Sequence, residues 1–181
     1  RTIDATVKSD SISTIQTSGL HRTEQEIGKQ GAAKAFLAGG NLHYSFKGFH
    51  VGATGIFYSY SLPLYPDKSQ LYKRFAPEGK SFWNMSVDYG YVSHRLTMQG
   101  ETAMGDCGVV ATVNSMSYLF SEKWSLFALY RFYPYRYYAM YSNSFKAGSD
   151  VQDESGGYVG MRWTPSAKWM VEAYGDVAYF A

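Results

Sequence analysis

The stretch Phe82-Trp83-Asn84-Met85-Ser86-Val87-Asp88-Tyr89-Gly90-Tyr91-Val92 alternates large apolar side chains with small or polar ones at nearly every step. On an extended chain Trp83, Met85, Val87, Tyr89 and Tyr91 fall on one side, and Asn84, Ser86, Asp88 and Gly90 on the other. A period of two marks a strand with one dry and one wet face; a helix would place its apolar residues three and four apart.

The same alternation continues outward in both directions. Upstream, Leu42, Tyr44 and Phe46 alternate with Asn41, His43 and Ser45, and after Lys47-Gly48 the phase resumes with Phe49, Val51, Ala53 and Phe57 against His50, Gly52 and Thr54. Two residues between such runs read as a tight hairpin. Downstream, Leu96, Met98 and Met104 oppose Thr97, Gln99 and Glu101, and Trp124, Leu126, Ala128, Tyr130 and Phe132 oppose Arg131. Val159, Met161 and Trp163 oppose Gly160 and Arg162; Trp169, Val171, Ala173 and Val177 oppose Glu172 and Asp176. Residues 107–120 are less regular, and a phase shift near Ser115 predicts a bulge. Helical signal is confined to Thr23–Gln30, where Thr23 and Glu26 have capping-box spacing.

Strands are thus expected near 3–18, 36–47, 49–60, 82–92, 95–104, 108–119, 124–133, 155–164 and 168–180, in one domain. Each has the length that crosses a bilayer when tilted. The connections at Lys47-Gly48, Ser93-His94, Ser121–Lys123 and Pro165–Lys168 are short, whereas those near 19–34, 62–80 and 135–153 are long and the one after the fifth strand is only a short Gly105-Asp106-Cys107-Gly108 link. In an up-and-down meander alternate connections share an end, so short turns gather at one end and long loops at the other, as in outer-membrane barrels. The expected fold is all-β: an antiparallel meander forming a transmembrane-type β-barrel or an excerpt of a larger one, with one short loop helix. A soluble lipocalin-like barrel or sandwich is the alternative.

Composition agrees. Of 181 residues 18% are aromatic, 17 of them Tyr, and the formal net charge is +2, too nearly balanced for a surface that coats nucleic acid. The single Cys107 rules out an intramolecular disulfide framework. Tyr-rich segments at 57–60, 89–92 and 130–141 are expected as aromatic girdles at headgroup depth. The chain opens on Arg1 without a basic and apolar leader and closes on Phe180-Ala181 without a polar tail, which reads as an excerpt of a longer polypeptide. Nine strands is an odd count; a larger parent barrel, or eight strands with residues 1–34 outside them, would resolve it.

The runs at 18–66, 82–91, 100–104, 128–145 and 151–176, most recognisably Ser18-Gly19-Leu20-His21-Arg22-Thr23 and Tyr130-Arg131-Phe132-Tyr133, resemble a Bacteroidota family of outer-membrane barrel proteins. In that family the barrel follows a helix-hairpin-helix (ComEA-like) segment, which is not within these residues. The resemblance implies an outer-membrane barrel, and no particular activity.

Six charged residues on the polar face, Asp88, Glu101, Arg131, Arg162, Glu172 and Asp176, are expected to form a charge network in a wet lumen, where opposite signs can pair. Across the Lys47-Gly48 hairpin Ser45 falls opposite His50, with His43 diagonal to it, a pair that could activate a nucleophile. No third, orienting residue is evident from the sequence, and no cofactor or metal site is expected. The stretches 69–80 and 134–146 interleave Lys or Arg with aromatics; on outer loops they suit lipopolysaccharide or protein partners better than nucleic acid. The function expected is that of a non-enzymatic outer-membrane barrel in transport or envelope assembly, touching membrane lipid, lipopolysaccharide and envelope proteins. The alternatives are a lipid-modifying barrel enzyme and a surface protein that handles DNA.

Overall fold

In the computed structural model, which describes residues 1–69, 73–148 and 150–180, the alternating segments form a largely antiparallel sheet. The strands are β1 (Thr2–Ile3), β2 (Ala5–Lys8), β3 (Ser11–Ile15), β4 (Ala33–Phe46), β5 (Phe49–Leu64), β6 (Gly79–Val92), β7 (Leu96–Gly105), β8 (Val110–Ser121), β9 (Trp124–Tyr133), β10 (Glu154–Ser166) and β11 (Trp169–Tyr179). Hydrogen bonding orders them β1-β4-β5-β6-β7-β8-β9-β10-β11, so from β4 onward each strand pairs with the next in sequence. β1 and β11 end this order, and the sheet is an open meander among the described residues. The one α-helix among the described residues, α1 (Glu24–Ile27), is shorter than its capping signal suggests. Thr23 accepts from the Glu26 amide as expected, but the Glu26 carboxylate reaches back to the amide of Arg22 instead of Thr23. No helix among the described residues is long and apolar enough to cross a membrane.

The chain divides into two units. The first comprises Arg1–Gly40 and Ile56–Asn84. Here the single strand expected over 3–18 is instead three short ones, for two reasons. Ser9 and Asp10 adopt positive φ (46° and 59°), closing a two-residue turn between β2 and β3. Asp4 is drawn out of the ladder by its carboxylate, which accepts from the Gly31 amide at 2.9 Å and lies 2.8 Å from His21 Nε2. The core of this unit is Ile3, Ala5, Ile12, Ala33, Ala35, Tyr58, Tyr60, Leu64 and Phe82. Tyr58 stacks on Phe82 with ring centres 5.4 Å apart, and Tyr60 meets both edge-on. Tyr58 and Tyr60 are therefore buried side chains and not members of an exposed girdle. Both are even-numbered on β5, opposite the exposed Phe57, and a period-two pattern does not say which face finds a cover.

The second unit comprises Asn41–Gly55 and the chain from Met85 onward. Its tight turns fall where the sequence places them. Lys47 and Gly48 have φ of 45° and 84°, the left-handed pair that a two-residue hairpin requires. Register fixes the faces of the later strands. Trp124, Leu126, Ala128, Tyr130 and Phe132 of β9 pair with Trp163, Met161, Val159, Gly157 and Ser155 of β10, which pair in turn with Val171, Ala173, Gly175, Val177 and Tyr179 of β11. The expected bulge near Ser115 is not there: β7 and β8 pair without interruption from Leu96↔Tyr118 to Met104↔Val110. The phase looked broken because Asn114 occupies an apolar-side position. It accepts from the Tyr89 hydroxyl at 2.8 Å, opposite Gly100, where a Cβ would lie 2.3 Å from its Oδ1. The loop 134–153 closes over one end of β7 to β9, burying Tyr137 and Val151 against Ala111 and Tyr133. Burial pushes the Tyr137 phenol up to about 12. Tyr133 and Tyr137 thus leave the expected girdle as well, whereas Tyr130, Phe132, Tyr135 and Tyr141 stay exposed.

Candidate functional site

The polar side of β4, β5 and β6 in the second unit carries the most reactive grouping. His43 and Ser45, two residues apart on β4, share that side, and Ser45 Oγ lies 2.9 Å from His43 Nε2. The opposite ring nitrogen, His43 Nδ1, lies 3.6 Å from Asp88 Oδ2 of β6. Asp88 reaches across the intervening β5 because residue 52 is glycine: a Cβ there would come 2.3 Å from Asp88 Oδ1. His50 stacks on His43 with ring centres 5.4 Å apart and planes inclined by 28°. It leans over Gly90, where a Cβ would lie 2.2 Å from its Cε1.

The expected pairing of Ser45 with His50 is changed in one respect. The imidazole that meets Ser45 is that of His43, because His50 is drawn toward β6 by the open space at Gly90. The carboxylate beside His43 belongs to Asp88, one of the six charges expected to line a lumen. The glycines at 52 and 90, each on the polar side of a strand, were the signal that bulky neighbours need that space. His43 and Asp88 are partly exposed, at 45% and 31% of their side-chain surface, so the pairing is in contact with water. Beside it, His50, Asp88, Gln99, Glu101 and Ser115 line a recess of about 360 Å³.

The remaining charged residues divide into two groups. Arg131 is fully buried; its Nη1 and Nη2 donate to the two carboxylate oxygens of Asp176 at 2.8 and 3.1 Å, and its Nε donates to Glu154. Glu154 also accepts from the amides of Ala147 and Gly148, tying the 134–153 loop to the ion cluster. The Phe145 ring lies 5.2 Å from the guanidinium carbon and covers it. Glu154 was missed in the sequence because it stands one residue outside the expected strand and is followed by Ser155-Gly156-Gly157, which carry no alternation. Arg162 and Glu172 form a separate exposed pair, Nε to Oε1 2.7 Å, at directly opposed positions of β10 and β11. Of the six expected charges, Arg131 pairs with Asp176 and Arg162 with Glu172, while Asp88 lies beside His43 and Glu101 lines the recess next to it.

Of the two basic and aromatic stretches, residues 70–72 of 69–80 lie outside the described residues; elsewhere in that loop Lys68 pairs with Glu78 at 2.9 Å, and the Arg74 guanidinium lies 5.6 Å from the Phe75 ring centre. In 134–146 Tyr137 is buried, whereas Tyr135, Tyr141 and Phe145 are exposed, the last with one face against Arg131. Among the described residues no three His, Cys, Asp or Glu side chains group as metal ligands. No family model, curated protein or solved structure matches this chain.

Proposed function

We propose that the chain is wall from an outer-membrane β-barrel of the kind its sequence resembles, with a role in transport or envelope assembly and with membrane lipid and lipopolysaccharide as its immediate partners. The observation that carries this reading is the exposed apolar side of the second unit. Met85 and Val87 of β6, Met98 and Met104 of β7, Val110 and Met116 of β8, Tyr130 and Phe132 of β9, Val159, Met161 and Trp163 of β10, and Val171 and Val177 of β11 are all large, apolar and exposed. A water-soluble monomer rarely leaves so wide an apolar surface uncovered. A bilayer covers it without further protein.

Polar groups that fall on this side support the same reading, because they satisfy one another. The Tyr89 hydroxyl donates to Asn114 Oδ1, Asn114 Nδ2 donates to Thr112 Oγ1 at 2.9 Å, and Thr112 Oγ1 lies 3.1 Å from Thr102 Oγ1. In hydrocarbon an unpaired polar group is costly, so internal pairing is what a lipid-facing surface needs. The opposite side carries Asp88, Glu101, Arg131, Arg162, Glu172 and Asp176 and suits an aqueous interior.

A cation placed on the apolar side separates the two solvents. In folded chain reconstituted in lipid vesicles, Val159→Arg is expected to lower the unfolding free energy by about 2–4 kcal/mol, the cost of Arg near the bilayer midplane. Recovery of the chain as a monodisperse monomer without detergent, with Val159→Arg changing stability by less than about 0.5 kcal/mol as at an ordinary surface site, would refute the proposal.

A further inference from the structure

We propose that Ser45, His43 and Asp88 form a hydrolytic centre for short, uncharged carboxylic esters. This goes beyond the barrel reading and does not depend on it, since every contact involved lies within the second unit.

A serine hydroxyl is a weak nucleophile at neutral pH and attacks an ester only when a base takes its proton as the bond forms. The base must offer a lone pair to the hydroxyl while its other nitrogen keeps a proton, and a carboxylate beside that second nitrogen selects this tautomer. The contacts follow this order: Ser45 Oγ to His43 Nε2 at 2.9 Å, then His43 Nδ1 to Asp88 Oδ2 at 3.6 Å. The second contact is longer than a hydrogen bond, and such contacts shorten when substrate excludes water. Stacking of His50 on one face of the His43 ring limits its rotation. The recess of about 360 Å³ adjoins the centre through His50 and Asp88. Its volume suits a short ester, and Asp88 and Glu101 in its wall disfavour an anionic one.

In the reaction Ser45 Oγ bonds to the ester carbonyl carbon and passes its proton to His43 Nε2. The carbon–oxygen bond to the alcohol breaks, and the alcohol leaves with the proton from Nε2. Water then attacks the acyl-serine, gives a proton to Nε2, and the acid departs as Ser45 regains that proton. Ser45 and His43 are the catalytic residues; Asp88 is a positioning residue that acts through the ring.

The test is phosphonylation of the full chain, folded in detergent or lipid, by a fluorophosphonate probe, with the adduct located by mass spectrometry and hydrolysis of p-nitrophenyl acetate followed in parallel. The expected result is a single adduct on Ser45, lost in Ser45→Ala, and formed at least about 100-fold more slowly in His43→Gln, the scale of a positioned base. Asp88→Asn is expected to slow labelling and Asp88→Glu to restore much of it, a rescue that a merely structural polar contact would not require. Absence of an adduct on Ser45 in wild-type chain with intact β-rich circular dichroism would overturn the proposal, as would equal labelling rates in wild type and His43→Gln.

Discussion

The two units bury different chemistry at their centres. In the first, the largest fully buried side chains are Tyr58, Tyr60, Phe82 and Ile12; in the second they are Arg131 and Glu154. An apolar centre is held by contact area, which many shapes can supply. An ionic centre is held by the match of each charge to its partners, and removing one member leaves the others buried without compensation. Nor does the strand pattern separate the two cases. On β5 and β6 even-numbered positions hold the buried rings Tyr58, Tyr60 and Phe82 in the first unit, and His50, Gly52, Asp88 and Gly90 in the second.

The ionic centre gives the largest effect. Arg131→Met removes a cation that holds Asp176 by two hydrogen bonds and Glu154 by a third, leaving the Glu154 carboxylate with only the Ala147 and Gly148 amides. The expected loss is about 3–5 kcal/mol in urea unfolding of the folded chain, and adding Glu154→Gln and Asp176→Asn to the same protein should recover most of it. A loss below about 1 kcal/mol for the single change would mean that the cluster is not what holds the 134–153 loop.

The aromatic centre should be more forgiving. Phe82→Leu keeps most of the apolar volume between Tyr58 and Tyr60 and is expected to cost less than about 1.5 kcal/mol by the same measurement. If it costs as much as Arg131→Met, the contrast between the centres fails and ring geometry matters more than area.

Much of the second unit was legible because its strands are long, regular and joined by short turns. Lys47-Gly48 and the alternation of Trp124 to Phe132 each encode their geometry locally, and the local signals agree. The first unit was less legible. Whether Tyr58 and Tyr60 meet lipid or a core depends on where residues 1–15 pack, and that is not a property of β5. The candidate site was half legible: Ser45, His43, His50 and Asp88 were all singled out, but their partnership depends on reach across strands. Asp88 meets a residue two strands away only because Gly52 stands between them, and a pattern read one strand at a time cannot register such a crossing. Glu154 was hidden for a related reason, since its role is set by Arg131 on the neighbouring strand and by the loop amides that it caps.

The smallest effect comes from the first unit, which has a carboxylate tie too, but an exposed one. Asp4 sits between β1 and β2 and holds residues 21 and 31. The Gly31 amide, and after it His21, keep its carboxyl below the usual carboxylate range. Because the folded value lies below the unfolded one, about 3.9, the tie is fully present above pH 4 and is lost as the pH falls through the depressed value. The expected outcome is a Gly31 amide whose hydrogen-exchange protection, corrected for intrinsic rate, is constant from pH 7 to 5 and declines in the acid range, while the amides paired between β9 and β10 hold theirs. Asp4→Asn keeps an acceptor for Gly31 but cannot titrate, so it should retain part of the protection at neutral pH and remove the acid decline. An acid decline that persists in Asp4→Asn would place the weak point elsewhere, with Glu26 the next candidate, since its carboxyl is also held low, chiefly by the Arg22 amide. An exposed tie of this kind loosens one loop, whereas the buried cluster around Arg131 holds a strand pair and a loop together; the difference follows from solvent access, since each is built from a carboxylate, a cationic or ring partner and a backbone amide.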